Sequence, residues 1–478
     1  MSQDLQALLV SYAYVGACVL VGEVAARRGV SREFSRKLIH VSVGLWVFGA
    51  LALFEHRELA VVPSLTAAVA NWVIHRKRLL KAVETEPDNL GTVWFALSFS
   101  VCLWVAWDQP SVAAGSLLAM VVGDALASLV GRRFGRHRYE TLSGERKSLE
   151  GSLAMLAGTF LAVLAVLTWM PGLSPDMPRV SLAVLCAVVA TCAEALGIRG
   201  RDNLWVPLSA LAVLAWTPTA YATGLGMGAG VALLIGVAAW LRGSLSPSGV
   251  LGAIVVGAPV FGLAGTVGVA ALLGFFFSSS ALSKAFRERK AGVEAEYAKT
   301  GTRDLGQALA NGGVAALAAV LLALTGDSRY LLAMLGALVA ANADTWATEL
   351  GVLSRSPPRL ITTLRPVAPG TSGAVSGVGL LASTAGAAFV GILALLAGLS
   401  WKLLPWLVLA GVVGSLVDSF LGATVQDVRW CEPCARETER RIHRCGQPTR
   451  ALRGLSWLGN DTVNGVATAA GALLAFWA

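Results

Sequence analysis

The recurrence of apolar runs, each long enough to cross a lipid bilayer, constrains the fold of this chain more than any other feature. Hydrophobic residues make up 55% of the 478 residues and charged residues only 14%, whereas soluble domains carry about 25% charged residues. The runs are continuously apolar and do not alternate with polar residues, so they predict helices and argue against a barrel. We expect an all-α, polytopic membrane protein with about 16 transmembrane helices.

The predicted helices form two series, which we interpret as two related halves, residues 1–222 and 223–478. No long hydrophilic linker separates them. The predicted spans of the first half are 5–26, 38–54, 57–75, 91–107, 111–131, 149–170, 179–197 and 203–221. Those of the second half are 223–241, 249–264, 265–283, 305–325, 328–350, 371–398, 404–425 and 455–477.

The distribution of positive charge predicts the orientation of the chain. If the N-terminus is outside, the short outer loops hold only Arg57, Arg179, Arg329 and Lys402 of the 38 Lys and Arg residues. Such an excess in the alternate loops marks them as cytoplasmic, so the net charge of +9 is not taken as a sign of nucleic-acid binding. A surplus remains in the loops 132–147 and 284–303, where phosphate binding is a second interpretation. We expect a multi-pass protein of the cytoplasmic membrane.

Two similar motifs place an acid within an apolar run. Asp124, Ser128 and Gly131 have the same spacing as Asp344, Thr348 and Gly351, and positions i, i+4 and i+7 share one face of a helix. An acid within a membrane helix is a functional-site hypothesis by default. At a constant interval of 224 residues the sequence also pairs Ser148 and Ser152 with Ser372 and Ser376, Glu194 with Asp418, and Asp202-Asn203 with Gln426-Asp427.

The segment that follows the fifth predicted helix carries the most specific motifs of the first half. It reads G-D-A-L-A-S-L-V-G-R-R-F-G from Gly123 and, further on, K-S-L-E-G-S from Lys147. The glycines let a ligand approach the backbone, and the basic side chains can donate to phosphate. Carboxylates such as Asp124, Glu150 and Glu194 suit the Mg²⁺ of a nucleoside triphosphate. The sequence has neither a P-loop nor a protein-kinase signature.

These residues resemble the polyprenol kinase family, which includes dolichol kinase, phytol kinase and CTP-dependent diacylglycerol kinase. The matching features are Arg36-Lys37 with His40, the two motifs above, and Glu194 followed by Asp202-Asn203 and Pro207. The resemblance implies CTP-dependent phosphorylation of a lipid alcohol. The K-S-x-E-G and G-D-x-x-A-S elements also resemble CTP:phosphatidate cytidylyltransferases, so an enzyme that forms a CDP-lipid is the alternative. His40 also fits an interfacial histidine, and Arg36-Lys37 also fit topology determinants.

The second half carries polar, glycine-rich segments at the ends of its predicted helices. They begin at Arg303 (R-D-L-G-Q-A-L-A-N-G-G), Ala343 (A-D-T-W-A-T-E-L-G), Asp418 (D-S-F-L-G-A-T-V-Q) and Asn460 (N-D-T-V-N). Such segments suit phosphate binding by backbone N–H groups. From about residue 240 onward they resemble the phytyl-phosphate kinase family. The resemblance implies addition of a second phosphate to an isoprenyl monophosphate, so the chain is interpreted as a fusion of two successive kinases.

The candidate site residues follow from these motifs. In the first half the catalytic candidates are Asp124, Glu150, Glu194, Asp202 and His40, and the nucleotide- or phosphate-binding candidates are Arg36, Lys37, Arg132, Arg133, Lys147, Ser148, Gly151 and Asn203. In the second half they are Asp344, Glu349, Asp418 and Asp461, and Arg303, Asn311, Arg359, Arg365, Thr371, Ser372, Ser376, Gln426, Asn460 and Asn464, respectively. Asp344 and Glu349 lie about 140° apart on a regular helix, so a role for both on one metal requires a distorted helix.

The expected ligands are Mg²⁺, held by Asp124 with Glu194 and by Asp344 with Asp418, and CTP as co-substrate. The expected partners are an isoprenoid alcohol, an isoprenyl monophosphate and membrane lipid, but no nucleic acid; homo-oligomer formation is left open. The sites are expected at the cytoplasmic face. A transporter is a weaker alternative, because an inverted repeat is then expected, whereas each predicted half has about eight helices and its acids cluster near one face.

The last large loop contains Cys431-x-x-Cys434 and His443-x-Cys445. Four such ligands within a short segment permit a tetrahedral Zn²⁺ site, although H-x-C is tighter than the usual zinc spacing. Free reduced thiols are the alternative. The other cysteines, Cys18, Cys102, Cys186 and Cys192, lie in predicted helices, and we expect no disulfides in a reducing compartment.

Overall fold

A computed structural model of the chain describes residues 3–77, 90–141, 145–197, 200–285 and 302–478. The chain divides into two compact units, Met1–Gly230 (unit 1) and Val231–Ala478 (unit 2). The division lies within one helix, Thr219–Leu241, slightly beyond the predicted boundary at residue 222. Residues 286–301 of the predicted basic loop, and Ser143 and Gly144 of the first-half motif, lie outside the described residues.

Unit 1 is built from helices and one short hairpin. Its elements are α1 (Gln3–Arg27), α2 (Arg32–Gly44), α3 (Trp46–Leu53), α4 (Arg57–Ala60), α5 (Val62–Lys77), α6 (Gly91–Val105), α7 (Pro110–Phe134), β1 (Arg138–Glu140), β2 (Arg146–Ser148), α8 (Leu149–Trp169), α9 (Arg179–Leu196) and α10 (Asp202–Trp216). The next helix, α11 (Thr219–Leu241), contains the division between the units.

Unit 2 continues with helices, a second hairpin and a three-stranded sheet. Its elements are α12 (Pro247–Leu263), α13 (Gly265–Lys284), α14 (Leu305–Thr325), α15 (Arg329–Gly351), β3 (Arg359–Leu360), β4 (Ala374–Val375), α16 (Gly377–Leu396), α17 (Leu404–Thr424), β5 (Val428–Cys431), β6 (Arg436–Thr438), β7 (Arg450–Arg453) and α18 (Asn460–Phe476). The sheet order is β6-β5-β7, with antiparallel neighbours.

The predicted fold class is confirmed. Among the described residues, 12 candidate spans are long and apolar enough to cross a membrane, and α6 and α12 are shorter apolar helices. The predicted count of 16 is therefore approximate. Two predicted spans begin too early: 371–398 starts as helix only at Gly377 and 455–477 only at Asn460. In both cases turn and strand residues precede the helix, and their apolar neighbours extended the predicted run.

Both units are organised around one central helix, α7 in unit 1 and α15 in unit 2. These two are the most deeply buried of the candidate spans. Helix α7 packs against α8 and α10, while α8 contacts α9 and α9 contacts α10. In the same way α15 packs against α16 and α18, while α16 contacts α17 and α17 contacts α18. We call these sets of four helices the first and second helix frames, and each has its own apolar core.

Close contact between glycines places the end of the central helix against the start of the next helix. In unit 1 a Cβ on Gly131 would lie 3.4 Å from the Gly151 Cα, and in unit 2 a Cβ on Gly351 would lie 3.6 Å from the Gly379 Cα. A hairpin joins the two helices in each unit, β1–β2 in the first and β3–β4 in the second. The two frames therefore share packing, hairpin position and helix order.

Serines at the same place in each frame start the second helix. Ser148 follows β2 and its hydroxyl accepts a hydrogen bond from the Gly151 N–H at 3.1 Å. Ser376 follows β4 and accepts from the Gly379 N–H at 3.0 Å. The structure thus makes Ser376 the counterpart of Ser148, whereas the constant sequence interval had paired Ser148 with Ser372. Likewise Asn460-Asp461, which begin α18, correspond to Asp202-Asn203, which begin α10; Gln426-Asp427 do not.

Candidate active site

The first cluster of charged side chains lies where α2 meets the central helix of unit 1. Asp124, on the third turn from the end of α7, accepts a hydrogen bond from the Lys37 ammonium at 2.5 Å. The His40 Nε2 lies 3.8 Å from the same carboxylate oxygen. That nitrogen is buried and has no hydrogen-bond partner among the described residues. The His40 ring packs on Phe95 with the ring centroids 4.7 Å apart, which fixes its orientation.

A second ion pair completes this cluster. The Lys147 ammonium, on β2, contacts the Glu194 carboxylate at 2.6 Å and also donates to the Glu194 carbonyl. Burial by itself would lower the pKa of Lys147, but the Glu194 carboxylate outweighs it and raises the pKa above its ordinary value. Asp202 interacts electrostatically with both Asp124 and Lys147. Helices α2, α7, α9 and α10 and the first hairpin therefore converge on one polar site in unit 1.

Other predicted residues of unit 1 lie at the edge of this site. The Ser128 hydroxyl donates to Glu33 at 2.9 Å, and Arg132 forms an ion pair with the same carboxylate. The Glu150 carboxylate contacts the His137 ring at 2.8 Å and accepts from its backbone N–H. Glu150 thus holds the start of the hairpin.

Asn203 joins the start of α10 to the start of α6, and the two remaining arginines lie outside the cluster. The Asn203 amide donates to the Gly91 carbonyl at 3.1 Å, while its buried Oδ1 has no hydrogen-bond partner among the described residues. That oxygen is free to accept from a ligand. Arg36 and Arg133 are exposed, and the Arg133 guanidinium lies over the Phe134 ring. Both can reach a phosphate from the surface.

Unit 2 contains a polar cavity of about 1030 Å³ at the corresponding end of its helix frame. Asp344 on α15 and Asp418 on α17 face this cavity, and Asp344 accepts a hydrogen bond from the Ser415 hydroxyl. The Asp418 Oδ2 is shielded from solvent and has no hydrogen-bond partner among the described residues. Neither acid forms an ion pair within the described part of the chain. A buried carboxylate oxygen without a partner is costly, so this pair is suited to a cation.

The cations that face this cavity come from three separate segments. Arg303 precedes α14, Lys284 ends α13, and Arg441 and Arg444 belong to the loop between β6 and β7. The Arg303 guanidinium donates to the Ser279 hydroxyl at 3.0 Å. Burial lowers its pKa from the ordinary value, an effect that the nearby Glu349 opposes. An arginine stays charged even so, and these four cations can receive a polyphosphate.

Polar side chains of the sheet region reach the cavity next to Asp418. The Ser372 hydroxyl donates to the Gln426 Oε1 at 2.6 Å, and the Gln426 amide donates to Glu439 at 2.9 Å. Glu349, on the next turn of α15 after Asp344, accepts from Ser283 on α13 at 2.6 Å. Asp344 and Glu349 therefore contact different helices, and the helix needs no distortion.

An apolar cleft of about 70 Å³ adjoins the polar cavity of unit 2. It is lined by α11–α14, with Phe261, Leu272 and Phe275 among its walls. Arg303, Gln307 and Asn311 border both the cleft and the cavity. A molecule with a phosphate at one end and a hydrocarbon chain at the other matches this pairing of surfaces.

Four potential metal ligands meet at the turns of the three-stranded sheet. The ligand atoms of Cys431, Cys434, His443 and Cys445 all lie within 4.8 Å of one another. The Cys431 and Cys445 sulfurs are 3.6 Å apart, and the His443 Nδ1 lies 3.1 Å from the Cys445 sulfur. The sequence spacing therefore identified a set of side chains that the fold brings together.

Comparison with protein families identifies the second half of the chain. Residues 230–472 match the family described as integral membrane protein DUF92. This range covers half of the chain and almost all of unit 2. The chain belongs to the DUF92 family of integral membrane proteins.

Relatives of this DUF92 family member include proteins of plants, cyanobacteria and archaea. Protein PGR of Arabidopsis thaliana is 36% identical over 41% of the chain and 75% of its own length. Phytol kinase of Synechocystis sp. is 34% identical over 42% of the chain and 87% of its own length. An uncharacterised membrane protein of Methanocaldococcus jannaschii is 34% identical over 37% of the chain and 74% of its own length. No solved structure matches the chain.

The DUF92 region brings most of the predicted second-half residues into its cavity. The cavity is lined by Arg303, Asn311, Asp344, Glu349, Thr371, Ser372, Ser376, Asp418, Gln426, Asn460, Asp461 and Asn464. Arg359 and Arg365 are not among the described residues that line it; the Arg359 guanidinium instead donates to the Leu364 carbonyl. Arg441 and Arg444 take their place, and sequence reasoning missed them although they flank the His443-x-Cys445 motif.

Proposed function

We propose that the chain is a membrane isoprenoid-alcohol kinase that acts in two steps. Unit 1 phosphorylates an isoprenoid alcohol to the monophosphate, and unit 2 phosphorylates the monophosphate to the diphosphate, with CTP as donor. The similarity to a cyanobacterial phytol kinase supports the class of the reaction. The observation that carries the division into two steps is the chemical contrast between the two sites, which share one helix frame.

The site in unit 1 suits an alcohol acceptor. A hydroxyl must lose its proton when it attacks the γ-phosphorus, the phosphorus–oxygen bond to the donor breaks, and the nucleoside diphosphate leaves. His40 is the candidate acceptor of that proton, because its Nε2 is buried, has no partner among the described residues and lies beside Asp124. Asp202 is the alternative base. Lys37 and Lys147 neutralise charge on the phosphates, a contribution that dominates phosphoryl transfer.

The site in unit 2 suits an acceptor that is already ionised. A monophosphate needs no general base, and none of the described residues that line the cavity is a histidine. The arginines Arg303, Arg441 and Arg444 supply positive charge for two polyphosphates at once. The apolar cleft beside Arg303 is placed to receive the isoprenyl chain.

Mg²⁺ fits the donor set of unit 2. Asp344 and Asp418 would hold it, since the orphaned Asp418 Oδ2 offers a hard oxygen ligand, as Mg²⁺ prefers. When bound, the ion would neutralise charge on the phosphates of the nucleotide. In unit 1 the corresponding Asp124 and Glu194 each form an ion pair with a lysine. A metal there would share its ligands with those ammonium groups.

The test is an assay of purified protein with Mg²⁺, γ-labelled CTP and phytol or geranylgeraniol, with the lipids resolved. Wild type should give labelled mono- and diphosphate. Asp344→Asn should accumulate monophosphate, and Asp124→Asn should form neither, each with a loss of about 10²–10³-fold in its own step. Asp108→Asn and Asp327→Asn are matched controls, because each precedes the start of a central helix at the end remote from the acids.

The alternative reaction is transfer of a cytidylyl group to a lipid phosphate, which releases pyrophosphate. It retains its support from the K-S-x-E-G and G-D-x-x-A-S elements. Label found only in pyrophosphate would refute the kinase and favour this reaction. Use of ATP in place of CTP would revise the donor alone.

A further inference from the structure

The three-stranded sheet of unit 2 has too little apolar surface to hold itself together. Across residues 428–453, Val428 and Cys431 are the only buried hydrophobic residues, while Ile442 is 66% exposed. A segment of this size needs a disulfide, a metal or another partner to order it. The cysteines of the chain are free thiols, so a disulfide does not supply the link.

Two turns of this sheet present their side chains to a common point. The first turn follows β5, which ends at Cys431, and carries Cys434 before β6 begins. The second is closed by hydrogen bonds from the His443 N–H to the Gln447 carbonyl, 2.9 Å, and from the Gly446 N–H to the His443 carbonyl, 2.9 Å. It carries His443 and Cys445. Each turn therefore contributes two ligands to the cluster.

The chemistry of these ligands selects the metal. Three sulfurs and one imidazole nitrogen form the Cys₃His set typical of structural Zn²⁺ sites, which are tetrahedral and have no open position. Cys431 and His443 are buried, whereas Cys445 is exposed. The H-x-C spacing, tighter than usual, is accommodated because the Gly446 backbone adopts a left-handed conformation with φ of 82°.

The cluster is linked directly to the wall of the polar cavity. Arg444 lies between His443 and Cys445 in the sequence, and Arg441 precedes His443 by two residues. Both arginines line the cavity. The backbone of Arg441 is held in addition by the Thr449 N–H and hydroxyl, each 3.0 Å from its carbonyl oxygen. Fixing the second turn therefore fixes two of the cations that face the cavity.

We propose that Cys431, Cys434, His443 and Cys445 bind a structural Zn²⁺ ion, which holds the two turns together and thereby keeps Arg441 and Arg444 in the wall of the cavity. The zinc site stands on the ligand geometry alone. The effect on the arginines rests on the proposed phosphate binding in this cavity.

The first experiment measures metal in the purified, full-length protein. Elemental analysis should find about one zinc per chain in wild type and less than a tenth of that in Cys434→Ser. Cys18→Ser is the matched control, because Cys18 lies in α1, and it should retain the metal. Replacement by Co²⁺ should give the visible absorption of a tetrahedral thiolate site. Wild-type protein without zinc, or with a Cys431–Cys445 disulfide in mass spectra, would overturn the site.

The second experiment tests what the metal does. In hydrogen–deuterium exchange, residues 428–453 should exchange at least about tenfold faster in Cys434→Ser, with α15 and α17 unchanged. Inorganic pyrophosphate should bind about tenfold more weakly (about 1.4 kcal/mol) to Cys434→Ser and to Arg444→Ala, although Arg444→Ala keeps its zinc. Unchanged exchange in Cys434→Ser would overturn the structural role. Zinc loss without weaker pyrophosphate binding would overturn the link to the cavity and leave the metal site intact.

Discussion

The two helix frames place acids at matching positions and treat them in opposite ways. In the first frame, the central acid Asp124 is paired with Lys37 and the acid near the end of α9, Glu194, with Lys147. In the second frame, Asp344 and Asp418 have no basic partner among the described residues, and a large cavity opens beside them. The cations of the second site stand across the cavity, on segments outside the frame.

The contrast shows how one frame can host two kinds of acceptor. Where the lysines belong to the site, its charge is balanced before any ligand binds. Where they are missing, the acids remain costly until a cation arrives. The first arrangement leaves a histidine next to a neutralised acid, which suits proton removal, and the second leaves room for charged ligands and their counter-ions.

The largest expected effect is that of His40→Gln. Loss of a general base typically lowers a rate by about 10²–10⁴-fold, so monophosphate formation from the alcohol should fall by that factor. Diphosphate formation from added monophosphate should be unchanged, because unit 2 needs no base. Rates measured separately with the two acceptors check this. The surface variant His56→Gln is the control, and a His40→Gln protein that retains half of its first-step rate would contradict the role.

Opposite shifts in stability are expected when the acids lose their surroundings in the two units. Lys37→Met leaves the Asp124 carboxylate buried without its cation and should destabilise the fold by about 3–5 kcal/mol. Asp418→Asn removes an unpartnered buried charge and should stabilise it by about 1–3 kcal/mol, while the second step is lost. Unfolding curves in detergent measure both. The double variant Lys37→Met/Asp124→Asn should recover part of the loss; shifts of the same sign for Lys37→Met and Asp418→Asn would break the comparison.

Sequence reasoning located the helices because membrane helices announce themselves by local composition. Each apolar run had to become a helix, since no other single segment satisfies its backbone within lipid. The acids Asp124, Glu194, Asp344 and Asp418 could be singled out for the same reason, because any acid in such a run stands out. Which lysines neutralise them could not be predicted, since Lys37 meets Asp124 only through the packing of α2 on α7.

The internal repeat was aligned correctly at its start and incorrectly further on. A constant interval pairs Asp124 with Asp344, but the loop between β3 and β4 is longer than that between β1 and β2, which displaces the match of Ser148 from Ser376 to Ser372. The three-stranded sheet then lies between α17 and α18, where unit 1 has only a short connection between α9 and α10. No constant interval can cross such an insertion, so the counterpart of Asp202-Asn203 was missed.

The smallest expected effect concerns how closely the two helices of each pair approach. A Cβ on Gly151 would lie 2.9 Å from the Ala127 carbonyl oxygen and 3.2 Å from the Gly131 Cα, both backbone atoms. A Cβ on Gly379 would lie 3.5 Å from the Ala347 carbonyl oxygen and 3.8 Å from the Gly351 Cα. Gly151→Ala should therefore destabilise the fold by about 1–3 kcal/mol. Gly379→Ala should be neutral or stabilising by up to about 1 kcal/mol, because alanine favours the helix.

The partner glycines on the central helices provide an independent check of this difference. A Cβ on Gly131 would meet the Ser148 hydroxyl at 3.0 Å, whereas the nearest atom to a Cβ on Gly351 is 3.6 Å away. Gly131→Ala should therefore cost more stability than Gly351→Ala, measured by the same unfolding curves. If the four variants divide by unit, the first frame is the tighter of the two, as expected where ion pairs fill the space between the helices. If they divide by helix position instead, the closer approach belongs to single contacts and the charge pattern alone distinguishes the frames.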